Sequence, residues 1–184
     1  MKTKSIIFLL FLLVPASFMS AQIKRLEAVK QESFITYKIT HPLHEIESTS
    51  KMALCLVDAD LKSKVIDKVL VQVAVTSFNS GNSNRDSHAM EVVEALLYPD
   101  ARFISTSVTQ KGDSVQAWGN LTFHGITKPV YMTAVDQWTN SNLTITGGFN
   151  ISLTAFKVKR PSLFMIPVSD KLVFTFKQVF NLPQ

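Results

Sequence analysis

A strand, a tight turn and a second strand are predicted by residues 119–130, which read GNLTFHGITKPV. Gly125 lies at the turn, where a residue with no side chain can take the positive φ that tight hairpins require. His124 stands beside it, and we expect a structural and not a catalytic role for this histidine. The stretch therefore indicates an antiparallel hairpin.

Strand patterns recur along most of the chain. Val69, Val71, Val73 and Val75 alternate with other residues, which places one face of a strand against a core. Further β-rich runs occupy residues 34–40, 51–57, 102–109, 115–123, 130–138, 143–153 and 172–179. Short turn clusters separate these runs, and the absence of β–α alternation favours antiparallel pairing. We predict an all-β fold in which about eight antiparallel strands close into a barrel, because closure removes exposed edges.

One segment has the period of a helix. Asp86 or Ser87 can cap its first turn, and the residue before Pro99 is driven out of the helical region. Its apolar residues recur at intervals of three and four positions: Met90, Val93 and Leu97. The sequence predicts one short helix packed on the barrel.

The N-terminus has the pattern of a secretory signal peptide. Lys2 and Lys4 precede a short apolar run at residues 6–14, and small or turn-forming residues follow up to Ala21. The run is shorter than the ~20 residues that span a membrane. We expect residues 1–21 to be removed, leaving one domain at residues 22–184 with no transmembrane segment. The protein is then exported, and is either periplasmic or secreted.

Charge and cysteine content exclude several classes of protein. Lys2 and Lys4 lie in the predicted signal peptide, so the net charge falls from +5 to +3 in the remaining chain. No run of Lys or Arg indicates a nucleic-acid partner. Cys55 is the single cysteine, so no internal disulfide can form. Export without disulfides is typical of a bacterial envelope protein.

Motifs for catalysis or metal binding are not found, and we expect neither a cofactor nor a metal. His41 and His44 are separated by Pro42 in a predicted loop, unlike the helical pairs that bind zinc. Cys55 lies within a strand between Leu54 and Leu56, where a cysteine is usually a small buried apolar residue. The expected protein is not an enzyme.

Several strands are apolar on both faces, which favours a ligand inside the barrel. An eight-stranded barrel is just wide enough to hold one small ligand, and large Phe and Met side chains suit an acyl or isoprenoid chain. A shift of one residue in register would turn every such side chain outward. The predicted ligand contacts are Val71, Val73, Met90, Val93, Phe103, Phe123, Met132, Phe149, Phe174 and Phe176.

A polar cluster stands at the start of the predicted helix. Arg85, Asp86 and His88 can form a charge-assisted network that fixes the helix on the barrel, or can bind the polar head of a ligand. We expect Arg85 and Asp86 to anchor the helix and His88 to join them.

Three segments together resemble the YceI-like family of polyisoprenoid-binding proteins. They are residues 85–88 (RDSH), residues 97–106 (LYPDARFIST) and residues 119–129 (GNLTFHGITKP), in the order and spacing of that family. The resemblance covers residues 34–180 and implies a lipocalin-like barrel closed by a helix, usually exported, that holds a long isoprenoid or similar lipid. Residues 154–158 (TAFKV) lack the Arg, Asp and Gly that the family commonly shows there.

Two other functions stay open from the sequence. The chain could be a structural or adhesive envelope protein whose apolar surface meets a partner, for example in a homodimer. It could also be an enzyme if Arg85, Asp86, His88 and His124 converge on an open cavity.

Overall fold

A computed structural model describes residues 22–163 and 165–183 of the 184-residue chain. The predicted signal peptide, residues 1–21, lies outside the described residues. Within them, strands are the main elements: β1 (Ile23–Glu27), β2 (Phe34–His41), β3 (His44–Ser50), β4 (Leu54–Asp60), β5 (Val65–Ala74), β6 (Asp100–Lys111), β7 (Ser114–Phe123), β8 (Ile126–Trp138), β9 (Asn142–Ser152), β10 (Ser162–Leu163), β11 (Ile166–Pro167) and β12 (Lys171–Asn181).

Helical structure is limited in the described chain. The helix α1 (Ser83–Val92) connects β5 to β6, and short 3-10 turns occupy Val75–Ser77 and Thr154–Phe156. Asn82 caps α1, because its side chain accepts a hydrogen bond from the backbone N–H of Arg85 at 3.0 Å. The predicted cap at Asp86 or Ser87 is therefore wrong by four or five residues. The helix also ends before Leu97, because Glu94 takes a left-handed φ of 48°.

Ten strands form one curled antiparallel sheet in the order β1-β4-β5-β6-β7-β8-β9-β12-β2-β3. The sheet curls so that each of its two end strands approaches another part of the barrel. Ala28, just after β1, donates to the carbonyl of Cys55 in β4 and forms a bridge to Phe180 in β12. At the other end of the sheet order, Thr49 of β3 bridges to Asn79. This pairing leaves few free edges, as expected for a barrel.

The predicted antiparallel barrel with one helix is confirmed, but the main sheet has ten strands and not eight. The two missed strands are β1 and β3. Strand β1 reads IKRLE, in which only Leu26 is buried. Strand β3 reads HEIESTS, and its buried positions are serines. Neither carries the apolar alternation on which a strand prediction depends.

The two ends of the barrel differ in their connections. We call the end with α1 and the β7–β8 turn the helix end, and the end with the β6–β7 turn at Gly112 the turn end. At the helix end, His124 and Gly125 have φ of 50° and 68°, so both turn residues are left-handed as in a two-residue hairpin turn. A Cβ on Gly125 would lie 2.5 Å from the Tyr98 ring, so a side chain there would also clash.

Candidate functional site

An apolar cavity of about 260 Å³ runs inside the barrel. It is larger than the ~150 Å³ apolar cavities that stay dry and bind benzene. Inward-facing residues of most strands and one side of α1 form its wall. Gly119 contributes by having no side chain, because a Cβ at this position would lie 2.5 Å from the Phe103 ring.

All ten side chains predicted as ligand contacts line this cavity: Val71, Val73, Met90, Val93, Phe103, Phe123, Met132, Phe149, Phe174 and Phe176. Val71 and Val73 alternate along β5, and Phe174 and Phe176 alternate along β12, so the two residues of each pair face the same side of their strand. Met90 and Val93 come from α1 and the residue that follows it. Their contact with a ligand stays a prediction, whereas their common location is a property of the structure.

Aromatic rings form one section of the wall. Phe149 of β9 and Phe174 of β12 are direct cross-strand partners, and their rings stack at 4.8 Å with an interplanar angle of 7°. Tyr37 of β2 lies at 6.4 Å from Phe174, and burial raises the pKa of its phenol. Flat, weakly polar surfaces of this kind suit a flexible apolar chain better than a charged ligand.

Arg85 and Asp86 line the cavity at the start of α1 and anchor the helix to the preceding loop. The guanidinium of Arg85 donates to the side-chain and backbone oxygens of Ser80 at 2.9 and 2.8 Å. The carboxylate of Asp86 accepts from the backbone N–H of Ser80 at 3.1 Å. These contacts fix the N-terminus of α1 through charge-assisted bonds.

His88 lines the same cavity but forms no bond to the Arg85 and Asp86 network, so this part of the prediction is wrong. Its ring nitrogen lies 3.7 Å from the Glu91 carboxylate, and its side chain is 63% exposed. His88 lies more than one helical turn after the N-cap residue Asn82, which places it beyond the loop that Arg85 and Asp86 contact.

His124 joins three elements at the helix end. Its Nε2 lies 2.7 Å from the Glu94 carboxylate after α1, and its Nδ1 lies 3.0 Å from the carbonyl oxygen of Phe156. Both partner atoms are oxygens that can accept a hydrogen bond from the ring. The ring of Tyr98 packs edge-on at 4.7 Å. His124 therefore ties the turn between β7 and β8 to the end of α1 and to the segment after β9.

No pattern in the sequence predicts the buried polar network at the turn end. Asp136 is 4% exposed, and its carboxylate accepts from the Gln110 amide and the Trp138 indole, each at 2.6 Å. The Gln110 amide oxygen accepts from the backbone N–H of Ile66 at 3.2 Å. Residues from β5, β6 and β8 thus meet through hydrogen bonds, which are specified only once the strands are paired.

Other chemistry-bearing residues have structural roles. His41 uses both ring nitrogens, one toward the carbonyl oxygen of Ile166 at 3.1 Å and one toward the backbone N–H of Leu43 at 3.3 Å. Cys55 lies in the cavity wall, and burial raises the pKa of its thiol to about 12. Among residues 22–163 and 165–183, no group of three or more metal-ligating side chains could hold an ion.

Comparisons with known proteins agree with this architecture. Residues 26–180 match the family described as the YceI-like domain. The chain belongs to the YceI-like family. It is 30% identical over 138 residues to the protein YceI of Shigella flexneri, and the alignment covers 70% of this chain and 72% of that protein. The resemblance noted in the sequence is thus confirmed.

Two solved structures share the YceI-like fold. BcnA of Burkholderia cenocepacia has a TM-score of 0.75 at 20% identity, covering 83% of this chain and 98% of BcnA. A polyisoprenoid binding domain from Saccharophagus degradans, implicated in plant cell wall breakdown, has a TM-score of 0.66 at 10% identity. That match covers 88% of this chain and all of the domain. In the described part of the chain, no helix has the length and hydropathy to cross a membrane.

Proposed function

We propose that this YceI-like protein binds a long-chain lipid of the isoprenoid kind inside its barrel. The observation that carries the proposal is the cavity, whose wall is apolar except near α1 and at a few isolated positions. Each methylene group moved from water into such a wall contributes ~0.8 kcal/mol. The polyisoprenoid binding domain with the same fold supports the choice of ligand class.

A binding role without catalysis is part of this proposal. Two of the candidate catalytic groups are already bonded within the protein, Arg85 to Ser80 and Asp86 to Ser80. His124, which is bonded to Glu94 and Phe156, lies outside the residues that line the cavity. General acid–base catalysis requires a group that can reach the reacting atom of a substrate. The polar residues near α1 are better placed to hold the helix and to meet a lipid head group.

Export of the protein is also proposed, on the pattern of residues 1–21. The mass of the intact protein, recovered from a periplasmic or culture fraction after expression in a bacterium, tests this. A mass that begins at Gln22 is expected, and a cell-bound protein that retains residues 1–21 contradicts export.

Mass spectrometry of bound lipid tests the ligand. The full chain is expressed in a bacterium, purified without detergent and extracted with organic solvent. We expect about one long-chain lipid per protein. Phe149→Asp places a charge in the aromatic wall and should remove the lipid, whereas Ile104→Asp, on an outward and 43% exposed position of β6, should retain it.

The control separates loss of the cavity from loss of folding. Circular dichroism checks that both variants keep their strand content. A folded wild-type protein with an empty extract, which also takes up no added isoprenoid or fatty-acid probe, would contradict the proposal. A stable oligomer in light scattering, combined with that empty extract, would favour the alternative of an envelope interaction protein.

A further inference from the structure

Large apolar side chains lie exposed on three separate loops at the helix end. Leu96 is 100% exposed and Leu97 68% exposed in the loop between α1 and β6. Leu43 is 63% exposed at the tip of the β2–β3 hairpin, and Met165 is 95% exposed between β10 and β11. Exposed apolar residues that cluster in one region mark sites of interaction with a protein or a membrane.

A chain of hydrogen bonds places these loops at one end of the barrel. The loop after α1 is held to the β7–β8 turn by Glu94 and His124, and that turn is held to Phe156. The segment that follows Phe156 leads to β10 and β11. The carbonyl oxygen of Ile166 there meets His41, whose ring also accepts from the backbone N–H of Leu43. The three loops therefore surround the end at which α1 lines the cavity.

Basic side chains accompany the apolar loops. Lys157 and Lys159 are exposed in the segment between the 3-10 turn at Thr154–Phe156 and β10, and neither forms a salt bridge within residues 22–163 and 165–183. Lys157 has a left-handed φ of 58°, which ends the preceding turn and changes the direction of the chain. Two free ammonium groups near apolar tips suit a surface with negative charge.

Carboxylates near the same end are mostly engaged. Glu94 is bonded to His124, and Asp170 accepts from Ser152 and from the backbone N–H of Thr154. On the β2–β3 hairpin, Glu45 and Glu47 both contact Lys38, at 2.6 and 3.5 Å. On the segment that carries Lys157 and Lys159, the unpaired charge is therefore positive.

We propose that the helix end docks on the surface of an anionic lipid bilayer, with Leu43, Leu96, Leu97 and Met165 inserted among the lipids. The proposal rests on the proposed function, because a lipid held in the barrel must come from a bilayer and return to one. Separate loop tips around a cavity suit a deformable lipid surface better than the flat face of a second subunit. Apolar insertion combined with Lys contacts to anionic head groups is how peripheral proteins bind membranes.

Flotation with vesicles tests the docking. The full chain is mixed with vesicles of phosphatidylcholine, with or without phosphatidylglycerol, and centrifuged through a density gradient. We expect the protein to float with the anionic vesicles and to dissociate at high salt. The double variant Leu96→Asp, Leu97→Asp should bind at least about tenfold more weakly. Ile104→Asp, on the outer face of β6, is the matched control and should bind like the wild type.

A charge variant tests the contribution of the lysines. Lys157→Glu with Lys159→Glu should weaken binding to anionic vesicles by about fivefold per lysine, with little change on neutral ones. Lys24→Glu with Lys62→Glu, two exposed lysines at the turn end, is the matched control. Equal binding by both charge variants would overturn the proposed orientation, as would unchanged binding after the Leu96 and Leu97 substitutions.

Failure of this inference can be told apart from failure of the proposed function. A protein that carries extracted lipid but binds no vesicle is a lipid-binding protein without the docking surface, and overturns only the inference. A protein that binds vesicles through the helix end but carries no lipid supports the docking surface. The same result contradicts the proposal that a lipid is held inside the barrel. Self-association through the same leucines, measured by light scattering at rising concentration without vesicles, would identify a second copy as the occupant and overturn the membrane proposal.

Discussion

Strand β12 points Phe174, Phe176 and Phe180 to the same side of the sheet, yet the three rings have different surroundings. Phe174 and Phe176 are partly buried and line the cavity. Phe180 is 0% exposed and packs with Leu143, which is also 0% exposed, among the residues that fill the turn end. Phenylalanines on the same face of one strand thus form a cavity wall at one end of the barrel and part of a packed core at the other.

The difference comes from what the opposite side of the barrel supplies. At the turn end, Leu26 of β1 and Ala28 just after it pack with Phe180, and the Asp136 network links the neighbouring strands. At the helix end, α1 spans the opening, and none of its residues is buried. Close packing of side chains therefore stabilises the turn end of the barrel. The helix end retains the empty volume that a ligand needs.

The largest expected effect is at the filled end. Phe180→Ala should lower the free energy of unfolding by about 3–5 kcal/mol, because it removes a fully buried ring and leaves a cavity. Urea denaturation followed by circular dichroism measures the change. Val135→Ala, on an outward and 44% exposed position of β8, should change stability by less than about 0.5 kcal/mol. A loss below about 2 kcal/mol for Phe180→Ala would show that the turn end is not the packed core of the barrel.

A smaller loss is expected at the cavity wall. Phe174→Ala enlarges a space that already exists, and it removes one stacking contact with Phe149, worth about 0.5–1.5 kcal/mol. We expect a loss of about 1–2 kcal/mol in lipid-free protein, smaller than the Phe180→Ala effect. Lipid uptake, measured by displacement of a fluorescent fatty acid, should fall for Phe174→Ala. Equal destabilisation by the two substitutions would remove the distinction between wall and core.

Much of this comparison could be predicted from the sequence, because a strand alternates its faces with a period of two. The rule places Val71 and Val73 on one face of β5 and Phe174 and Phe176 on one face of β12, and all ten predicted contacts share the cavity. The rule says nothing about depth along the barrel axis. Phe180 obeys the same alternation as Phe176, and only the pairing of Ala28 with β12 places it in the filled end.

The missed features depend on contacts between segments that are distant in sequence. Strand β1 has one buried residue, Leu26, and its pairing with β4 is what makes it a strand. His88 was expected to join Arg85, but the partner of Arg85 is Ser80, a loop residue without a recognisable pattern. The salt bridge between Arg25 and Asp58 likewise depends on strand register, and it lowers the pKa of the Asp58 carboxyl.

An effect that emerges only at high pH concerns Cys55, which lies in the cavity wall and also packs against the filled core. Burial raises the pKa of its thiol to about 12, whereas an unfolded cysteine ionises near pH ~8.5. Above that pH the unfolded chain has released a proton that the folded chain retains, so stability falls as pH rises. Above the unfolded pKa, the loss of unfolding free energy approaches ~1.4 kcal/mol per pH unit. Below the unfolded pKa, the contribution of the buried thiol to stability is fully present.

Comparison with Cys55→Ala isolates this effect, since other groups that titrate at high pH are common to both proteins. Denaturation curves at pH 8 and at pH 10, conditions chosen to bracket the thiol's unfolded pKa, should show the wild type losing about 1–2 kcal/mol more than the variant. An identical pH dependence would mean that the thiol reaches water through the cavity. The boundary between the hollow and filled parts of the barrel would then lie closer to Phe180 than the structure places it.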